Sequence, residues 1–157
     1  MLEPDILKIR GDLQIIKEEN GEIEIIDGLN TVLMAGKSAV VRSLGYDIGG
    51  SFQYYIDKML FGDGGEESGV PKHVPSSTTA LFGETRANVS TAASFSPDAE
   101  NQVTFTTVLT TSHANGHTLN EAALEMANGA LFSMITFGGI AKTASMTLTF
   151  NWTLTVV

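Results

Sequence analysis

The chain has 157 residues, no cysteine, 9 Lys plus Arg against 18 Asp plus Glu, and a formal net charge of −9. That length suits one domain, and the missing thiols exclude a disulfide framework, a thiolate metal site and a cysteine nucleophile. Nucleic-acid binding, which needs clustered Lys and Arg to displace counter-ions, is not expected.

The opening Met1-Leu2-Glu3-Pro4-Asp5 lacks the basic and apolar regions of a signal peptide, so export by that route is not expected. The first elements follow at Asn20-Gly21, a pair suited to a type I′ turn because both of its central positions need positive φ. It predicts a hairpin joining Leu13–Lys17 to Glu22–Ile26, with Ile15, Ile23 and Ile25 facing inward and Lys17, Glu18, Glu22 and Glu24 outward. A helix is expected over Thr31 to Leu44: Asn30 can cap it, Leu33, Gly36, Val40 and Leu44 recur near helical spacing, and Gly45 can end it. Phe52–Phe61 then alternates loosely and reads as a strand.

From Gly62 to Thr79 the chain is rich in Gly, Pro and Ser, which predicts a long surface loop. Asp63, Glu66 and Glu67 in that loop could offer oxygens to calcium, but the ligand spacing of a calcium loop is absent and no metal site is expected. Glu84 and Arg86 are two apart on a predicted strand and share a face, which suits an ion pair or a subunit contact. A shorter loop is expected at Ser94–Asn101, around Pro97.

Two further Asn-Gly pairs, at 115–116 and 128–129, predict two more hairpins. One would join Val103–Thr111 to Leu119–Met126, the other Leu119–Met126 to Ala130–Phe137, whose mixed apolar faces suit a strand covered on both sides. His113, His117 and Glu121 are spaced by four, yet a turn at Asn115-Gly116 would put the histidines on opposite arms rather than together on a metal. Met126 to Ile140 carries no charge, but its Asn, Ser, Thr and Gly residues make a poor membrane helix, and too few such segments exist for a membrane barrel.

Met146 to Val156 closes the chain with unbroken alternation: Met146, Leu148, Phe150, Trp152, Leu154 and Val156 are apolar, with Thr or Asn between. A period of two means one buried face and one wet face. The fold class is therefore mainly β, an antiparallel β-sandwich with one short helix, in a single domain over 1–157.

No arrangement of residues argues for catalysis. Gly36-Lys37-Ser38 matches the end of a phosphate-binding loop, but Thr31 stands where that motif needs glycine. No Gly-x-Ser-x-Gly elbow occurs, and no enzyme activity or cofactor is expected.

Taken in order, several segments resemble a family of small tailed-bacteriophage virion proteins, described as tail, fibre or head-decorating components. They are Gly28-Leu29-Asn30, Leu60-Phe61-Gly62-Asp63-Gly64, Thr79 to Arg86, Asn120-Glu121-Ala122-Ala123-Leu124, Phe137 to Lys142 and Phe150-Asn151-Trp152. The resemblance implies a non-enzymatic β-sandwich that assembles in copies on a virion made in the host cytoplasm. Its partners would be the major capsid protein or tail proteins and further copies of itself, a trimer among the options, with the N-terminal hairpin as an assembly arm. Capsid decoration or cementing is the first expectation, and a tail, collar or baseplate role the alternative. A carbohydrate-binding sandwich using Tyr54 or Tyr55 ranks below both. The candidate interface residues are Ile15, Ile23, Ile25, Glu84 and Arg86.

Overall fold

A computed structural model describes residues 7–45, 53–85, 89–95 and 99–157. Its elements are β1 (Ile9–Glu19), β2 (Glu22–Leu29), β3 (Thr31–Val32), α1 (Met34–Leu44), β4 (Ile56–Gly62), β5 (Glu66–Glu67), β6 (Val70–Pro71), β7 (Val89–Ser90), β8 (Ala92–Phe95), β9 (Gln102–Leu109), β10 (Thr118–Met126), β11 (Leu131–Ala141) and β12 (Met146–Val156). They build two five-stranded antiparallel sheets, in the orders β2-β1-β12-β9-β8 and β3-β11-β10-β4-β7, plus a small β5-β6 ribbon. The protein is a mainly-β, sandwich-like fold with one helix, as its sequence predicts.

β12 takes the centre of the first sheet because its alternation lets one face be wholly apolar. Trp152 lies between Leu13 of β1 and Phe105 of β9 in register, and all three are buried. The opposite face is laced by hydroxyls: Thr104 and Thr153 meet at 2.8 Å, and Thr106 donates to Asn151 at 2.9 Å. Across the sandwich Phe150 packs on Phe61, ring centroids 4.6 Å apart and tilted by 55°, and more loosely on Phe137. Tilted aromatic pairs of this kind add to the burial of their area.

The second sheet is covered on both faces. Leu119, Ala122 and Leu124 of β10 with Phe132 and Ile135 of β11 face the main core. Leu60, Ala123, Leu131 and Met134 instead join Leu33, Val74 and Leu81 in a second core beneath the chain that follows β4. The expected Gly62–Thr79 surface loop is thus partly a cover: it forms the β5-β6 ribbon and buries Val74.

Several expectations need correction. Ile15 is buried, but Ile23 and Ile25 are exposed. The two-residue turn pairs Glu19 with Glu22, so Ile15 opposes Ile26, while Ile23 and Ile25 oppose Glu18 and Ile16 on the outer face. Odd positions of β1 therefore share a face with even positions of β2. The turn itself is as expected, with φ positive at Asn20 and Gly21.

α1 begins at Met34, and Asn30 does not cap it. Thr31 and Val32 instead pair with Met134 and Ser133. The Leu33 amide donates to Phe132 O and the Met34 amide to Ser76 O, so neighbouring chain satisfies the helix start. β4 starts at Ile56 rather than Phe52, which lies outside the described residues. The 128–129 hairpin forms between β10 and β11, but the 115–116 one does not: β9 and β10 belong to different sheets, and residues 110–117 carry the chain across. Pro97 lies outside the described residues.

Candidate functional site

Three features carry polar chemistry or unpartnered surface: a buried carboxylate under the β4 exit, a buried ammonium at the sheet crossover, and the free edge of β2.

The carboxylate is Glu121. A bulge between Leu119 and Glu121 shifts the β10 register, and bulges commonly re-aim a side chain. Glu121 is fully buried, and its two oxygens accept three backbone amides: Gly64 at 3.1 Å and Gly83 at 2.6 Å on Oε1, Phe82 at 2.8 Å on Oε2. Beside it the Asn120 side-chain oxygen accepts the Gly65 amide at 2.6 Å. Gly64 and Gly83 touch so closely that a Cβ on Gly64 would lie 2.5 Å from the Gly83 nitrogen, which explains glycine at both. Lys72 donates to Gly64 O at 2.7 Å and lies over the Phe82 ring. With both oxygens taken up by amides, Glu121 acts as a strap holding the 63–85 cover to β10.

The ammonium is Lys142, only 2 % exposed. Its Nζ donates to Thr110 O, Asn115 Oδ1 and Thr143 O at 2.9–3.0 Å. Burial lowers its pKa below the usual lysine value. This is how the crossover is fixed: Asn115, expected in a hairpin turn, spends its side chain on Lys142 and on Thr111 O.

The weak cation candidates disperse. Asp63 faces His117 at 3.4 Å, Glu66 accepts the Gly139 amide at 2.6 Å, and Glu67 is exposed on its ribbon. Among the described residues no three His, Asp or Glu side chains are placed to hold a metal ion. His113 turns back on Thr110, so the His113, His117 and Glu121 triad does not assemble. A polar trough of about 500 Å³ on the outer face of the first sheet is lined by Asp12, Gln14, Asp27 and Asn151, with no aromatic side chain. Tyr54 is half-buried against the core and Tyr55 exposed.

Of the candidate interface residues, Ile15 is inside the sandwich and has no surface to offer. Glu84 is exposed, its backbone bridged to Gly62, and Arg86 lies outside the described residues. Ile23 and Ile25 are the informative pair. β2 pairs only with β1 among the described residues, and Glu22 through Ile25 are exposed in succession, so both faces of this stretch are wet. Ile23, Ile25 and Leu29 are 66 %, 56 % and 72 % exposed. An unpaired edge carrying large apolar side chains is the ordinary template for joining another chain. Sequence reasoning missed Asn120 and Lys142 as site-builders. The only signal was their polarity amid apolar strand residues.

No protein-family model, curated protein or solved structure matches this chain.

Proposed function

We propose that this chain is a non-enzymatic structural protein of a tailed-bacteriophage virion, working as an oligomeric capsid decoration or cement protein. The observation that carries the reading is the β2 edge. Among the described residues its outer side has no strand partner, and it leaves Ile23, Ile25 and Leu29 exposed along that edge. The ordered segments that resemble those of phage virion proteins, from Gly28-Leu29-Asn30 to Phe150-Asn151-Trp152, suggest the kind of assembly. The net charge of −9 suits basic neighbours and opposes indiscriminate self-association.

Mass spectrometry of purified particles, with copy number counted against the major capsid protein, tests this. Copies on the order of hundreds per particle mean decoration, whereas roughly three to twelve follow the symmetry of a tail, collar or baseplate site. A chain missing from washed particles overturns the proposal.

A further inference from the structure

Building on the assembly role proposed above, we infer that copies of this chain join head to tail, the Glu22–Ile25 edge of one seated in the groove between Leu7–Ile9 and α1 of the next. That groove, about 430 Å³, is walled by Leu7, Ile9, Val32 and Val41 and flanked by Lys8 and Lys37. Leu7 and Val41 are largely exposed, as is Leu44 one turn further along the helix. The chain has only nine Lys and Arg in all, and two of them flank this groove.

The arm has the opposite character. Around the Asn20-Gly21 turn stand Glu18, Glu19, Glu22 and Glu24 against Lys17 alone, with Ile23 and Ile25 between the acids. Lys17 is already engaged by Glu24 at 3.5 Å. An acidic, isoleucine-bearing ribbon and a basic, aliphatic groove complement each other in both charge and polarity.

Placement makes the contact intermolecular. The groove includes the residues that lead into β1, and the arm flanks the residues that end it. An extended strand of that length separates them by roughly 30 Å. Symmetric pairing of two β2 edges is disfavoured, because Glu22 and Glu24 share a face of β2 with no base beside them on that strand, and the two copies would bring these acids together. A contact between two different surfaces generates rings where the rotation closes and filaments where it does not.

Sedimentation velocity on the full chain, from micromolar to near-millimolar concentration, tests this with K37E and E22K. Both side chains are exposed, so each variant keeps the wild-type melting curve, which is measured first. The wild type forms concentration-dependent oligomers that weaken with salt. Each variant alone associates about tenfold more weakly or worse, and an equimolar mixture recovers assembly, because the reversed charge at position 37 of one variant then faces the reversed charge at position 22 of the other. A wild type that stays monomeric throughout, variants that associate as well as it does, or a mixture of folded variants that stays apart overturns the contact. Its failure is separable from that of the virion reading: a monomeric protein can still be found on particles, and a self-associating one can be absent from them.

Discussion

Glu121 Oε1 accepts the Gly83 amide at 2.6 Å, linking the first strand of the β10-β11 hairpin to a loop 38 residues earlier in the chain. With the Gly64 and Phe82 amides on the same carboxylate, one side chain satisfies three buried or half-buried donors that no strand partner reaches. Glu121→Ala leaves all three without an acceptor and is expected to cost at least about 3 kcal/mol in urea unfolding. Glu121→Gln can keep its carbonyl where Oε1 sits, losing mainly the Phe82 bond, and is expected to cost roughly 1–2 kcal/mol. Hydrogen exchange gives the local readout: protection of the Phe82 and Gly83 amides is lost in Glu121→Ala. If both variants unfold at the wild-type midpoint, Glu121 is not the strap described.

Lys142 makes a prediction with a defined sign. Its three partners are uncharged oxygens, and burial holds its pKa below the 10.5 usual for a lysine in water. Between that lowered value and 10.5 the unfolded chain binds more protons than the folded one, so stability from this group rises with pH across that window. Below the window both states are protonated and the cost of burying the charge is fully present. Lys142→Met is expected to remove this rise, seen as the difference between the two urea-midpoint curves from neutral pH upward. It should also cost roughly 2 kcal/mol at neutral pH by orphaning the three oxygens.

What could be read from the sequence was whatever depends on neighbours in the chain. β12 is legible because burial on one face writes an alternation, and every apolar residue from Met146 to Leu154 is buried as that pattern requires. The Asn20-Gly21 turn is legible because positive φ at two successive positions restricts residue choice. The hairpin's inward face required one further step, counting parity through the turn, which moves Ile23 and Ile25 outside. The crossover at 110–117 was not legible. Asn115-Gly116 has the same local chemistry as a hairpin turn, and what directs it is Lys142, a partner 27 residues away. The Glu121 strap was hidden for the same reason: a carboxylate reads as surface until its distant backbone donors are known. Asn30 preceded a helical pattern and read as its cap, but β11 captured Thr31 and Val32 into a sheet.

The closing strand allows a test by contrast between adjacent positions. Phe150 is fully buried between Phe61 and Phe137, whereas Thr149 is on the opposite face beside Val108 and Ile16. Phe150→Ala removes a ring from a close-packed interior and is expected to cost about 3–5 kcal/mol. Thr149→Ala gives up only β-propensity and cross-strand contact, about 1 kcal/mol or less. Chemical denaturation of both variants checks the ratio. Comparable losses at the two positions mean the strand does not have one dry face and one wet face.

Gly36 sets local propensity against packing. It lies inside α1, where replacing glycine by alanine in an exposed helix gains about 1 kcal/mol. Here the helix rests on β11, and a Cβ at position 36 would lie 2.3 Å from the Phe132 carbonyl oxygen, a backbone atom that also accepts the Leu33 amide starting the helix. That oxygen cannot retreat without loosening both the strand and the helix entry. Overpacking of this kind costs about 1–3 kcal/mol, so packing outweighs propensity and Gly36→Ala is expected to be destabilising. Gly45→Ala, past the helix end where the nearest atoms are 3.6 Å or more from a Cβ, serves as the control and should change stability little. Thermal melts of the two variants decide the matter. A stabilised Gly36→Ala would mean that α1 does not sit against β11 as closely as this packing requires.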